Sequence, residues 1–206
     1  MLHLETVATP TLELLKELQN LKSLRETRLV GGTALSLQYG HRISVDLDLF
    51  AYNLDSDFIT IISEIKNKGF KIDIRKQSSN IMISMIENIK VDIVNYPYPW
   101  IDNKLCEENI VLATDKDIAA LKLSAITNRG TRKDFIDLFY LLKKYPLEKM
   151  LSFYTNKYGD GSILMVLRSL TYFDDAEIDV SPNIMDKNIT WSTIKNTISN
   201  EVKLLI

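Results

Sequence analysis

Cysteine is almost missing from this 206-residue chain, with Cys106 standing alone. One thiol excludes an intrachain disulfide and any cysteine-cluster zinc site, and it suits a reducing compartment. An excess of one charge is missing too: 25 Lys and Arg face 27 Asp and Glu, a formal net charge of −2. The balance holds locally, with 11 basic against 12 acidic residues up to position 100 and 14 against 15 beyond it. That excludes a histone-like polybasic binder and leaves local patches open. No run reaches 18 apolar residues, and the opening MLHLETVATP has no basic segment leading into an apolar one. Neither a membrane span nor a secretion signal is expected, which places the chain in the cytoplasm. Internal repeats and low-complexity tracts are absent as well. What is present is ordinary globular composition, 46% hydrophobic and 25% charged, at a length that predicts one domain or one domain with an appendage.

Residues 11–24 place leucines at helical spacing behind Thr11 as a predicted N-cap. Arg28, Leu29 and Val30 form a short strand running into Gly31 and Gly32, and residues 33–40 read as a helix closed by Gly40. Residues 43–50 alternate strictly, with Val45, Leu47 and Leu49 on one side and Ser44, Asp46 and Asp48 on the other, which predicts a half-buried strand. A helix over 57–68 and strands over 70–76, 81–86 and 90–95 follow, the strands joined by turns short enough for hairpins. The loop Tyr96-Pro97-Tyr98-Pro99-Trp100 ends the sheet-forming part. Beyond it the pattern is helical over 115–128, 131–144, 147–158, 162–173 and 190–206, with a loop between 174 and 188. Strands first and helices afterwards predict an α+β chain, with a sheet-bearing part over 1–113 and a helical part over 114–206.

Asp46 and Asp48, two apart on a predicted strand, leave the same face with alpha carbons roughly 6 to 7 Å apart. Two carboxylates that close repel unless a cation neutralises them, and a hard divalent ion such as Mg²⁺ does so through oxygen ligands while keeping places for water and phosphate. An Asp-x-Asp strand is also common as a solvated face. Gly31, Gly32 and Thr33 lie between a strand and a helix, where backbone amides can receive a phosphate or where a tight turn simply needs glycine. Asp92, opposite Val91 and Ile93 in its strand, becomes a third carboxylate if the two strands lie close: a metal ligand or a base toward a hydroxyl.

Further along, Lys122, Ala125 and Arg129 fall at i, i+3 and i+7 on one helix face, with Lys133 and Asp137 at i, i+4 on the next. Residues 122–144 hold six basic and two acidic side chains, a local +4. A triphosphate needs such a counterweight, and so does a solvated helix face with internal ion pairs. His41 and Arg42 suit either phosphate contact or a loop ion pair. Tyr96, Tyr98 and Trp100 suit either base stacking or packing over the sheet.

The segments GGTALSLQYGHRISVDLDLF, KVDIVNYPYP and KLSAITNRGTRKDFIDLFYLL, in that order over residues 30–142, resemble the successive motifs of the AbiEii/AbiGii toxin family of nucleotidyltransferases. That family lies in the DNA polymerase β-like superfamily, with the MenT toxins of mycobacteria. The resemblance implies a nucleotidyltransferase-like mixed sheet flanked by helices and followed by a C-terminal helical bundle. It also implies Mg²⁺ or Mn²⁺ as cofactor, an NTP as substrate, transfer of a nucleoside monophosphate to tRNA or another RNA, and a cognate antitoxin. By position, Gly32 and Thr33 match the phosphate-holding step, Asp46 and Asp48 the metal pair, Asp92 the third carboxylate, and Lys122, Arg129, Lys133, Asp134 and Asp137 the later helical motif. On this reading Asp46, Asp48 and Asp92 hold metal, Gly31, Gly32 and Thr33 cradle phosphate, and Lys122 and Arg129 neutralise it with Lys133 nearby. Thr33 stands where the wider superfamily usually has Ser, which keeps the hydroxyl. The rival readings are a nucleotide-binding module without transfer and a metal-dependent phosphohydrolase with water as acceptor.

Overall fold

In the computed structural model, which describes residues 1–205, the chain divides into two units, 1–40 with 44–113 and 41–43 with 114–206. The first unit carries a seven-stranded mixed sheet. Its strands are β1 (Arg28–Val30), β2 (Leu47–Tyr52), β3 (Ile72–Gln77), β4 (Ile81–Ile86), β5 (Ile89–Tyr96), β6 (Leu105–Glu107) and β7 (Ile110–Leu112), in the order β3-β4-β5-β2-β1-β7-β6. β2 runs parallel to β5 and antiparallel to β1, and β1 runs parallel to β7. β4 joins β5 and β6 joins β7 through two-residue turns, Glu87-Asn88 and Glu108-Asn109, both residues of each at positive φ. Such turns match the right-handed strand twist.

Side-chain period decides which face is which. Leu29, Leu47, Leu49, Ala51, Met82, Ile86, Val91, Ile93 and Leu112 are fully buried, and the strand register puts them on one face. The helices α1 (Thr9–Gln19), α2 (Gly31–Tyr39) and α3 (Phe58–Asn67) pack on β7, on β1 and β2, and on β3 respectively. Burying each large side chain contributes about 1.5–3 kcal/mol, and a one-residue slip would drive Asp48 and Asp92 into that core, so the register is strongly held.

The expected strand over 43–50 begins four residues later, at Leu47. Residues 41–43 belong to the second unit instead: Arg42 bridges to Ile184, Ile43 N donates to the Asn183 carbonyl, and Met185 N donates to that of His41. Ser44 N donates to the Thr6 carbonyl, and Val45, read as an inward residue, is 61% exposed. α1 likewise starts at Thr9 with Ala8 as its N-cap, so Thr11 lies buried inside the helix instead of capping it. The β6–β7 hairpin falls in a stretch where the sequence reading placed no strand.

The second unit consists of α4 (Asp115–Asn128), α5 (Arg132–Leu142), α6 (Leu147–Lys157), α7 (Ile163–Leu170), α8 (Asp174–Glu177) and α9 (Trp191–Lys203). α8 is a single turn within the expected 174–188 loop. α4 packs against α5, α6 and α7, and α5 against α8 and α9. Phe135, fully buried, contacts Phe173 with ring centroids 4.9 Å apart and Trp191 at 6.0 Å. Gly130, at φ +49, breaks α4 from α5. Among the described residues, no helix is long and apolar enough to cross a membrane.

Candidate active site

Three features of the first unit meet at the start of β2. Asp48 stands opposite Asp92 in the parallel β2–β5 ladder, so the two carboxylates leave one face from strands roughly 4.8 Å apart. On its other side Asp48 pairs with Val30, the last residue of β1. There the chain turns at Gly31, whose φ is +70 and where a Cβ would collide with Asp48 Oδ2. Glycine is therefore required twice at this point, once for the left-handed backbone and once to leave room for the carboxylate.

Asp46 precedes the strand instead of lying on it, and its position comes from a different device. Thr33 Oγ1, 1% exposed, donates to the Asp46 carbonyl and lies 2.8 Å from Ser44 Oγ. The Thr33 hydroxyl, expected to face phosphate, is engaged in holding the residue next to the strand. What the start of α2 offers an anion is backbone: Val30 gives no side-chain cap, and the first amides of a helix have no intrahelical acceptor.

Asp92 is only 14% exposed, and its Oδ2 accepts a hydrogen bond from Lys90 Nζ at 2.8 Å. Its Oδ1 is buried without a hydrogen-bond partner, a state that costs roughly 1–3 kcal/mol or more for a charged oxygen. Burial works against the charge on Lys90, but its bond to Asp92 and the fields of Asp92, Asp48 and Asp46 outweigh that and hold its pKa above the usual lysine value. Among the described residues, no three acidic, histidine or cysteine side chains already stand close enough together to hold a metal. The Lys90 ammonium already pairs with one member of this acidic group, Asp92. The group's donor set, all carboxylate oxygen with one oxygen unsatisfied, suits a hard divalent cation. Sequence reasoning passed over Lys90, although Lys-x-Asp on a strand puts both side chains on one face.

In the second unit the helical motif forms a buried ion cluster. Lys122 Nζ lies 2.9 Å from Asp134 Oδ1 and 2.6 Å from Asp137 Oδ2. Arg42 grips Asp137 with two nitrogens, Nε at 2.7 Å and Nη2 at 3.0 Å, and His41 Nε2 lies 2.7 Å from the same carboxylate. Asp134 also accepts from Thr131 Oγ1 at 2.6 Å and from Arg129 Nε at 3.2 Å. Both carboxylates are fully buried, and Lys122 is 4% exposed. Burial raises the Asp134 pKa, but Lys122 and Arg129 overcome it and bring it to about 2. Asp137 is likewise held well below the ordinary value, against burial, by Lys122 and Arg42. Burial lowers the His41 pKa despite the pull of Asp137, so its imidazole is neutral at pH 7.

Lys122 is thus surrounded by carboxylates of its own unit, and of the expected cations only Arg129 and Lys133 are exposed. Arg42 forms a buried ion pair with Asp137 and His41 a buried hydrogen bond to the same carboxylate, in line with the loop ion-pair alternative. The aromatic loop packs on the sheet: Tyr96 contacts Phe50, Tyr98 and Trp100 at 5.2, 5.5 and 6.2 Å, and the Arg28 guanidinium lies 4.4 Å from the Trp100 ring centre. Cys106 is an exposed free thiol.

Comparison with known proteins bears on the family and the fold. Residues 13–182 match the family described as nucleotidyl transferase AbiEii toxin, type IV toxin-antitoxin system. An uncharacterized protein of Aquifex aeolicus (strain VF5) is 33% identical over 196 residues, 93% of each chain. Among solved structures, JHP933 from Helicobacter pylori is similar with a TM-score of 0.62 at 20% identity, covering 97% of this chain and 93% of its own. MenT4, a nucleotidyltransferase toxin from Mycobacterium tuberculosis H37Rv, is similar with a TM-score of 0.59 at 13% identity, covering 93% of this chain and 79% of its own. At those identities the two structures establish a shared fold.

Proposed function

The chain belongs to the AbiEii family of nucleotidyl transferase toxins of type IV toxin-antitoxin systems, and from that premise we propose that it moves a nucleoside monophosphate from an NTP to an RNA hydroxyl, with tRNA as the foremost acceptor, under the control of a cognate antitoxin. The observation that carries this reading is the side-by-side placement of Asp48 and Asp92, one with a buried unpartnered oxygen, beside the glycine turn that opens α2.

In this reading Asp46, Asp48 and Asp92 hold a divalent cation, Mg²⁺ or Mn²⁺. Bound there, it would offset the charge of the triphosphate and of the departing pyrophosphate. The chain's own groups do the rest. Gly31 and Gly32 let phosphate approach the amides at the start of α2, and Thr33 keeps Asp46 in place from behind. The acceptor oxygen bonds to the α-phosphorus, the bond from that phosphorus to the bridging β-oxygen breaks, and the hydroxyl proton passes to the Asp92 carboxylate. Pyrophosphate leaves with the bridging oxygen. Arg129 and Lys133 stay the exposed cations of the helical motif. Lys122 acts as a positioning residue that orders Asp134 and Asp137, and through Asp134 the base of Arg129.

Each labelled NTP, incubated with Mg²⁺ and total RNA, tests the chemistry. Label should join RNA with release of pyrophosphate. Asp48→Asn and Asp92→Asn should lower the rate at least about a hundredfold with little change in melting temperature. Full activity in a well-folded Asp48→Asn protein would remove the assignment. Expression in cells with and without the neighbouring gene tests toxicity and the antitoxin separately from the chemistry.

A further inference from the structure

Lys90 has no place in the reaction described above, yet it holds one of the site's carboxylates. It lies two residues before Asp92 on β5, so both side chains leave the same face, and its ammonium is 2.8 Å from Asp92 Oδ2. Asp48 is the ladder neighbour of Asp92. The Asp92 side chain is nearly buried, whereas 41% of the lysine side chain is exposed. A long, flexible, half-exposed ammonium can swing out, and the carboxylates it neutralises cannot.

We propose that Lys90 is a built-in counter-ion that makes metal binding at these carboxylates conditional on nucleotide. This rests on the reading of Asp46, Asp48 and Asp92 as the metal site. With no nucleotide present, a divalent cation must displace an ammonium that already neutralises Asp92. The displaced ammonium then needs another anion in place of its 2.8 Å partner. A nucleoside triphosphate supplies that anion, since phosphate oxygens accept from the swung-out Lys90 while Asp92 is released to the cation. Cation and triphosphate therefore strengthen one another's binding by the same factor, as linkage requires. The protein gains a site that stays closed to free cations and opens to the cation and nucleotide together.

The test is Mn²⁺ binding measured by its paramagnetic signal, with no RNA present. Wild type, Lys90→Met and Lys90→Arg are titrated alone and with the α,β-methylene analogue of each nucleoside triphosphate, which cannot transfer. Wild type should bind Mn²⁺ weakly alone and about tenfold or more tightly with an analogue, within the usual range of coupling between two ligands. Lys90→Met should bind Mn²⁺ about tenfold more tightly than wild type when no nucleotide is present, and should lose most of the gain from the analogue. Lys90→Arg, which keeps the charge, should behave like wild type. Melting temperatures near that of wild type confirm that the variants are folded. Equal or weaker Mn²⁺ binding by folded Lys90→Met, or coupling that survives in full, overturns the proposal. Asp48→Asn and Asp92→Asn distinguish the two possible failures. If they abolish Mn²⁺ binding while Lys90→Met changes nothing, the role of Lys90 alone falls. If they leave Mn²⁺ binding intact, the carboxylate metal site falls and the Lys90 proposal falls with it.

Discussion

Replacing Lys122 with Met separates a phosphate ligand from a structural cation. Its ammonium lies 2.9 Å from Asp134 and 2.6 Å from Asp137, and all three side chains are essentially removed from water. Unit charges this close attract by about 6 kcal/mol each at an effective dielectric near 20, and the desolvation of three ions offsets much of that. The measurable quantity is the cost of leaving the two carboxylates without their shared partner, about 3–5 kcal/mol for a buried pair broken on one side. For a chain of this size that lowers the melting temperature by roughly 10 °C or more. Acid unfolding adds a second reading. Asp134 has its pKa at about 2 against an ordinary 3.8. It therefore contributes about 2 kcal/mol that is fully present above the unfolded value and is lost as pH falls through the folded one. Without Lys122 the Asp134 pKa rises, and acid unfolding should begin at a higher pH. Guanidinium melts at pH 7 and pH 3, with circular dichroism, measure both effects. A Lys122→Met protein that melts within about 1 kcal/mol of wild type, keeps its acid transition and loses only nucleotide binding would refute the structural assignment and return Lys122 to the phosphate.

Gly31→Ala should be severe in both activity and stability. The new Cβ collides with Asp48 Oδ2 in a backbone at φ +70, so a loss of about 1–3 kcal/mol and a large drop in transfer rate are expected together; a variant that keeps wild-type transfer would contradict the close approach. His41 predicts a mild pH dependence of stability above the carboxylate range. Its pKa is lowered from 6.5 on folding, chiefly by burial, so the unfolded chain takes up a proton that the folded one resists. Stability should therefore fall as pH drops below about 6.5. His41→Gln, which keeps a donor toward Asp137, should flatten that slope between pH 6.5 and 5, and an unchanged slope would assign the titration elsewhere.

The carboxylate geometry was readable because it rests on local period. Asp92 was visible as the outward residue between Val91 and Ile93, and the apolar residues that fix its register also fix that of Asp48. Asp46 escaped the same logic. The alternation of residues 43–46 continues that of the true strand by coincidence, while the hydrogen bonds of residues 41–43 go to Asn183, Ile184 and Met185, some 140 positions away. No spacing rule reaches that far. The partners of Lys122 were hidden for a related reason. Helical spacing pairs it with Ala125 and Arg129 on one helix, but its carboxylates come from the next helix, 12 and 15 residues on, once Gly130 has turned the chain. β6 and β7 were missed because strands of three residues show no period; β1, just as short, was placed by the Gly31-Gly32 turn it runs into.

The charge of the helical motif shows how far a linear window can mislead. Residues 122–144 carry a local +4 along the chain, which looked like a counterweight for a triphosphate. In the fold, acidic residues from outside that window close in on it, Arg132 bonding to Glu177 and Asp179 and Lys144 to Asp115; inside the window, Lys122 is enclosed by Asp134 and Asp137. Lys143 lies over the rings of Phe139 and Tyr140. Arg129 and Lys133 remain as the exposed cations of the expected set, fewer than the linear count suggests. On the proposed reading, positive charge toward a triphosphate at Asp46, Asp48 and Asp92 would come from a divalent cation and from Lys90 released from Asp92. A chain with a net charge of −2 can then handle a polyanion without a basic surface, because a cation bound at those carboxylates would add to the charge the chain itself presents.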